Sequence, residues 1–180
     1  MKLQEARENM TKMTSAYANK VIRKLNEDKE FWLNKEREGS TYVAAADEEP
    51  VIPEYDYETV VKQISEIDAR ILKIKHAINI NNATNHIKVG EEEMSIDEIL
   101  VRMAQLSNRK AILDIMRKRE PKKRINSGYY AVRKASPEFE YINYDLEVVK
   151  REYERVDSEI ASMQIALDKY NQTFEFDVDD

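Results

Sequence analysis

The chain has 180 residues, 36% of them charged, with three glycines, four prolines and no cysteine. The missing thiols exclude disulfides, thiolate metal sites and a cysteine nucleophile, and suit a reducing cytoplasm. The net charge of −6 is uneven: Arg109 to Lys134 carries ten Lys/Arg against two acids, whereas Pro137 to Asp180 carries four against thirteen.

The first expected helix covers about 2–38, where Leu3, Ala6, Met10, Met13, Tyr17, Val21 and Leu25 step by three and four along one face. Gly39-Ser40 stops it, and Thr41 to Pro53 reads as a loop. A second helix, about 55–79, carries Tyr57, Val60, Ile64, Ile67, Ile71, Ile74 and Ile78 in a heptad seam rich in β-branched residues. The run Asn79-Ile80-Asn81-Asn82-Ala83-Thr84-Asn85 is expected to end that helix, because Asn bonds nearby backbone and tolerates turn conformations.

His86-Ile87-Lys88-Val89 alternates and Gly90 turns, as in a small hairpin arm. Ser95 with Glu98 is a capping box opening a third helix, about 96–118, with its stripe at Ile96, Ile99, Leu100, Met103, Leu106, Leu113 and Met116. Pro121 follows, inside a basic loop expected over 117–134. Phe139 and Tyr141 alternate with Glu138 and Glu140 as in a short strand. A fourth helix, about 145–170, carries a second seam at Leu146, Val149, Tyr153, Val156, Ile160, Met163, Leu167 and Tyr170. The tail Thr173 to Val178 alternates and can pair with another short strand.

The fold expected is therefore all-α: a single helical domain over 1–180, a long antiparallel coiled-coil or helical bundle with short β-hairpin arms. Its narrow stripes leave apolar surface for a second copy to cover, so a homo-oligomer is expected. No stretch reaches the ~18 apolar residues of a membrane span, and Met1-Lys2-Leu3-Gln4-Glu5 lacks the apolar core of a signal peptide. A cytoplasmic protein without a membrane partner follows.

Catalysis has little to stand on, so no enzyme, no cofactor and no metal are expected. His76 and His86 do not make a zinc-binding spacing, the glycines at 39, 90 and 128 form no phosphate loop, and the seams carry no inward Glu or Glu-x-x-His. Two segments have chemical content. Arg117, Arg119, Lys122, Lys123, Arg124, Arg133 and Lys134 surround Tyr129 and Tyr130, and cationic forks beside rings suit a phosphate-bearing, stackable ligand. The same charges suit a solvated face or an acidic helix of a neighbour, and the tyrosines suit interface anchors. General nucleic-acid binding is not expected, because the wider acidic field repels a polyanion. The Asn run is a helix end or a row of amides able to read a polar ligand.

The order of these segments, with Ile78-Asn79-Ile80-Asn81-Asn82-Ala83-Thr84 and the ending Tyr170-Asn171-Gln172-Thr173, resembles the septicolysin-like family of small helical bacterial and phage proteins of uncharacterised function. That family commonly has Ile-Asn-Arg-Thr-Asn at the first motif, so the resemblance assigns Asn79, Asn82 and Thr84, while Ile80 and Asn81 depart from it. It implies a helical oligomer, and the basic segment is longer here than in the family's pattern. The function expected is a non-enzymatic oligomeric binding protein that sequesters a small anionic, nucleotide-like ligand, as a phage sponge would. Arg117, Arg119, Lys122, Lys123, Arg124 and Arg133 would hold phosphate, Tyr129 and Tyr130 would stack, and Asn79, Asn82 and Thr84 would hydrogen-bond. The alternative is a structural or protein-interaction coiled-coil module with no small ligand.

Overall fold

The computed structural model describes residues 10–125 and 137–179. Chain order is β1 (Met10–Thr14), α1 (Ser15–Gly39), α2 (Tyr57–Thr84), β2 (His86–Val89), β3 (Glu92–Ser95), α3 (Ile96–Arg117), β4 (Lys122–Arg124), β5 (Phe139–Tyr141), α4 (Leu146–Thr173) and β6 (Glu175–Asp179). The expectation of an all-α chain is overturned. Long helices dominate, but β1 pairs β6, β2 pairs β3 and β4 pairs β5 in three two-stranded sheets. The strands run only three to five residues, too short to outweigh the helical pattern in the sequence.

The chain gathers into two compact units, Met1–His86 with Asp168–Asp180, and Ile87–Leu167. In the first, α1 and α2 run antiparallel: Lys29 bonds Asp68 at 2.7 Å, and Gly39 meets Tyr55 further along. A Cβ on Gly39 would lie 2.8 Å from the Tyr55 Cβ, so this close approach requires glycine. The core joins Met13, Ala18, Ile22, Leu25, Ile71, Ile74 and Val178. Met13 and Val178 come from β1 and β6, which pair with Met13 opposite Phe176 and Thr11 opposite Val178.

The expected helix over 2–38 is thus shorter and rotated. Residues 2–9 lie outside the described residues, and Met10–Thr14 is extended because β6 pairs it. Thr14 caps α1 by accepting from the Tyr17 N–H at 3.2 Å. With the helix starting at Ser15, its buried face runs through Ala18, Ile22 and Leu25, while Tyr17 is exposed.

α2 keeps the seam that the sequence shows from Val60 onward, with Val60, Ile71 and Ile74 buried, while its first expected member, Tyr57, is exposed at the helix start. The helix ends within the Asn run, but at Thr84 with Asn85 as its cap, five residues beyond the expected 79. In a helix already held by Ile71 and Ile74, a few Asn residues cost only tenths of a kcal/mol each in propensity, less than burial returns.

In the second unit, α3 and α4 run antiparallel. Arg102 reaches Glu159, and the Tyr144 hydroxyl donates to the Met116 carbonyl at 2.7 Å. Leu113, Val149 and Val156 form the core, flanked by Leu106, Met116, Tyr153 and Ile160. The capping box is present: the Ser95 N–H donates to Glu98 Oε2 at 2.8 Å and the Glu98 N–H to Ser95 Oγ. Gly90, with φ +62°, turns β2 into β3. The hairpin arm, the strand at Phe139–Tyr141 and the pairing of the tail are all as the alternation predicts.

Ile74 is fully buried whereas Leu72, two residues away, is 70% exposed. Urea unfolding of Ile74→Ala is expected to lose about 2–5 kcal/mol, and that of Leu72→Ala under about 0.5 kcal/mol.

Candidate functional site

The basic segment belongs to the second unit. After α3 ends at Arg117, Pro121 breaks the helix and the next three cations become β4. The segment expected as a loop over 117–134 is therefore partly a strand, with Lys122 opposite Tyr141, Lys123 opposite Glu140 and Arg124 opposite Phe139. Lys118, Arg119, Glu120, Lys123, Glu140, Tyr141 and Ile142 line a groove of about 260 Å³.

The expected cations divide into two groups. Arg117 is committed to the helix pair: its Nε donates to Asp114 at 2.8 Å and its guanidinium lies 4.0 Å from the Tyr153 ring centre. Lys118 bonds the same carboxylate, and these two cations hold the Asp114 carboxyl below its usual pKa. Lys122 sits 4.1 Å from the Phe139 ring centre and 5.5 Å from that of Tyr141. The side chains of Arg119, Lys123 and Arg124 are exposed and have no hydrogen-bond or ion-pair partner among the described residues. Arg119 and Lys123 line the groove, and Arg124 does not. Tyr129, Tyr130, Arg133 and Lys134 lie outside the described residues.

The Asn run belongs to the first unit. Asn79 is exposed and Asn82 half-buried, while the Thr84 hydroxyl donates back to the Ile80 carbonyl at 2.8 Å. The buried member is Asn81, 3% exposed, which the family resemblance leaves unassigned. The heptad shows why: Asn81 follows Ile74 by seven and Ile78 by three, so it occupies the next position of the seam. Extending the seam's count by one step would have found it.

Its amide is fixed in orientation. The Asn85 Nδ2 donates to the Asn81 main-chain carbonyl at 3.0 Å, and a carbonyl only accepts, so that end of Asn85 is nitrogen. The same nitrogen lies 3.0 Å from Asn81 Oδ1, which also accepts from the Tyr170 hydroxyl at 2.9 Å. Both lone pairs of Oδ1 are taken. Asn81 Nδ2 is buried and has no acceptor among the described residues, a state that costs about 1–3 kcal/mol. Tyr170 is braced by Phe174, stacked at 4.8 Å between ring centres and 14° between planes.

Asn81 lines a second groove, of about 460 Å³, between α2 and β6. Met10, Ala77, Ile80 and Phe176 give it an apolar lining; Lys73, His76, Thr84, Asn85, Asp177 and Asp179 complete it. Thr84 is thus at this groove, whereas Asn79 and Asn82 are not among its lining residues. The cations and the Asn run, expected to serve one ligand, fall in different units. Among the described residues no three His, Asp or Glu side chains are placed to hold a metal ion.

Burial holds the Tyr170 phenol above its ordinary pKa. The protonated form is favoured in the fold, so its contribution is complete below about pH 10 and is lost as pH rises through the raised value. Urea midpoints measured from about pH 9 to about pH 11 are expected to fall more for the unaltered chain than for Tyr170→Phe.

No family model matches the chain, and no curated protein matches it. The crystal structure of a functionally unknown conserved protein from Corynebacterium diphtheriae is similar in fold, with TM-score 0.63 at 12% identity over 92% of this chain and 99% of that one.

Proposed function

We propose that the chain is a non-enzymatic binding protein that takes a small anionic ligand, nucleotide-like in carrying phosphate beside a ring, at the groove of β4 and β5. The observation that carries this reading is the pair Arg119 and Lys123, which line the groove without a carboxylate partner among the described residues. Tyr141 in the same wall offers a ring face. Exposed cations left unpaired in a chain of net charge −6 are available to an outside anion, and a phosphate satisfies both at once. Sequestration of a signalling nucleotide is the concrete form this function takes, in a reducing cytoplasm that suits the cysteine-free chain.

The protein works as a homo-oligomer in this reading. Val101, Ile112 and Ile115 are each more than half exposed on α3. Val101 and Ile115 stand seven residues either side of Asn108, so a two-fold axis at Asn108 places one against the other in a second copy. A structural, protein-interaction module is the second reading. It draws on Glu120 and Glu140, which line the same groove and give it the mixed charge of a protein contact.

Calorimetry against cyclic and linear nucleotides, with the mass read in parallel by light scattering, tests the proposal. Saturable binding is expected to weaken about tenfold or more in each of Arg119→Ala and Lys123→Ala. Silence across the panel at high micromolar protein sinks the ligand reading and leaves the interaction module.

A further inference from the structure

The groove of the first unit has a chemistry unlike that of the basic groove. Its apolar side chains, Met10, Ala77, Ile80 and Phe176, come from β1, one face of α2 and β6. The rim carries one firm cation, Lys73, already within 3.5 Å of Asp179, and a second carboxylate at Asp177. An anion therefore finds no net attraction here, and a cation finds a carboxylate only at the exposed Asp177 of the rim, where water competes for it, and no partner among the apolar side chains. A neutral ligand suits the lining.

The buried wall specifies the ligand further. Asn81 lines the groove and keeps an amide nitrogen with no acceptor among the described residues, while its oxygen is saturated by Asn85 and Tyr170. Exchanging the two ends of the amide would bring donor against donor at Asn85, so the protein cannot relieve the nitrogen by a flip. A seam position that otherwise takes Val60, Ile67 and Ile74 holds instead a side chain whose free group can only donate. What is missing is an acceptor oxygen or ring nitrogen from outside.

We propose that the groove between α2 and β6 binds a neutral small molecule with a planar ring and a carbonyl oxygen, the ring lying among Ala77, Ile80 and Phe176 and the oxygen accepting from Asn81 Nδ2. The nitrogen is closed to solvent behind the groove wall, so binding includes a rotamer change of a groove side chain. Met10 and Ile80, each about half exposed, have the freedom for it. This site is independent of the anion-binding reading, because its residues belong to the other unit. Failure of one leaves the other standing.

Amide-resolved NMR with benzamide as the probe tests the proposal. Benzamide is expected to shift the Asn81 side-chain amide pair and the Ala77 and Phe176 backbone signals saturably, with a dissociation constant on the order of millimolar for so small a molecule. Benzylamine, with the same ring and an ammonium in place of the carbonyl, is expected to leave them unshifted. Two variants are needed. Asn81→Leu removes the donor and is expected to weaken benzamide about tenfold. Ile80→Glu alters only a half-exposed lining residue, retains the fold and is also expected to weaken it. The proposal is overturned if benzamide gives no saturable shift at about 10 mM. It is equally overturned if benzylamine competes on equal terms, or if the folded variants bind benzamide as the unaltered chain does.

Discussion

The hydrogen bond from the Tyr170 hydroxyl to Asn81 Oδ1 joins the end of α4 to the last turns of α2 inside the first unit. A single polar pair matters here because of where it lies. Asn81 occupies a seam position, and an amide there is tolerable only if its oxygen is satisfied, since an orphaned buried acceptor costs more than a typical hydrogen bond contributes. Tyr170 and Asn85 supply the two donors, and Phe174 stacks on Tyr170 to hold its ring. With α4 ending at that point, β6 follows directly and pairs β1, which places Met13 and Val178 in the core with Ile74. One polar contact thus fixes which part of the tail meets which part of α2, a register that an apolar seam alone specifies weakly.

The short sheets have a related role. Each is too small to be stable in isolation, and each sits at the end of a helix: β1 before α1, β2 and β3 between α2 and α3, β4 after α3, β6 after α4. Here they clip helix ends, and by doing so they place chemistry. β6 supplies one wall of the Asn81 groove through Phe176, Asp177 and Asp179, and the β4–β5 pair forms the basic groove. The helices supply rigidity, and both candidate sites lie where a helix gives way to a strand.

Much of this order is legible in the residues, and what is not has identifiable physical causes. The seams of α2 and α4 are legible over most of their length because a long repeat of apolar residues has few alternatives: Val149, Val156, Met163, Leu167 and Tyr170 are all buried as the spacing requires, whereas Tyr57, at the first turn of α2, is exposed. Ser95 and Glu98 mark the start of α3 because their capping interaction is local. The start of α1 misleads because Met10 and Met13, three residues apart, share a face in a helix but lie on opposite faces of a strand, and only pairing with β6, more than 160 residues away in sequence, makes the segment extended. The Asn run does end α2, with Asn85 as the cap, but burial of Asn81 carries the helix five residues past the expected 79 before local preference prevails. The basic segment is legible from its charge and its tyrosines, but which of its cations remain unpaired depends on Asp114, Tyr153 and Phe139, contacts that no spacing rule reveals.

A double-mutant cycle between Asn81→Ala and Tyr170→Phe, read by urea unfolding, tests most directly whether this buried contact holds the register of α2 and the tail. The account requires the two changes to be non-additive by about 1 kcal/mol or more, with each single variant also loosening hydrogen exchange in β6. Additive losses within about 0.3 kcal/mol, with β6 protection unchanged, would show that the seam and the strand pairing set the register without the polar contact.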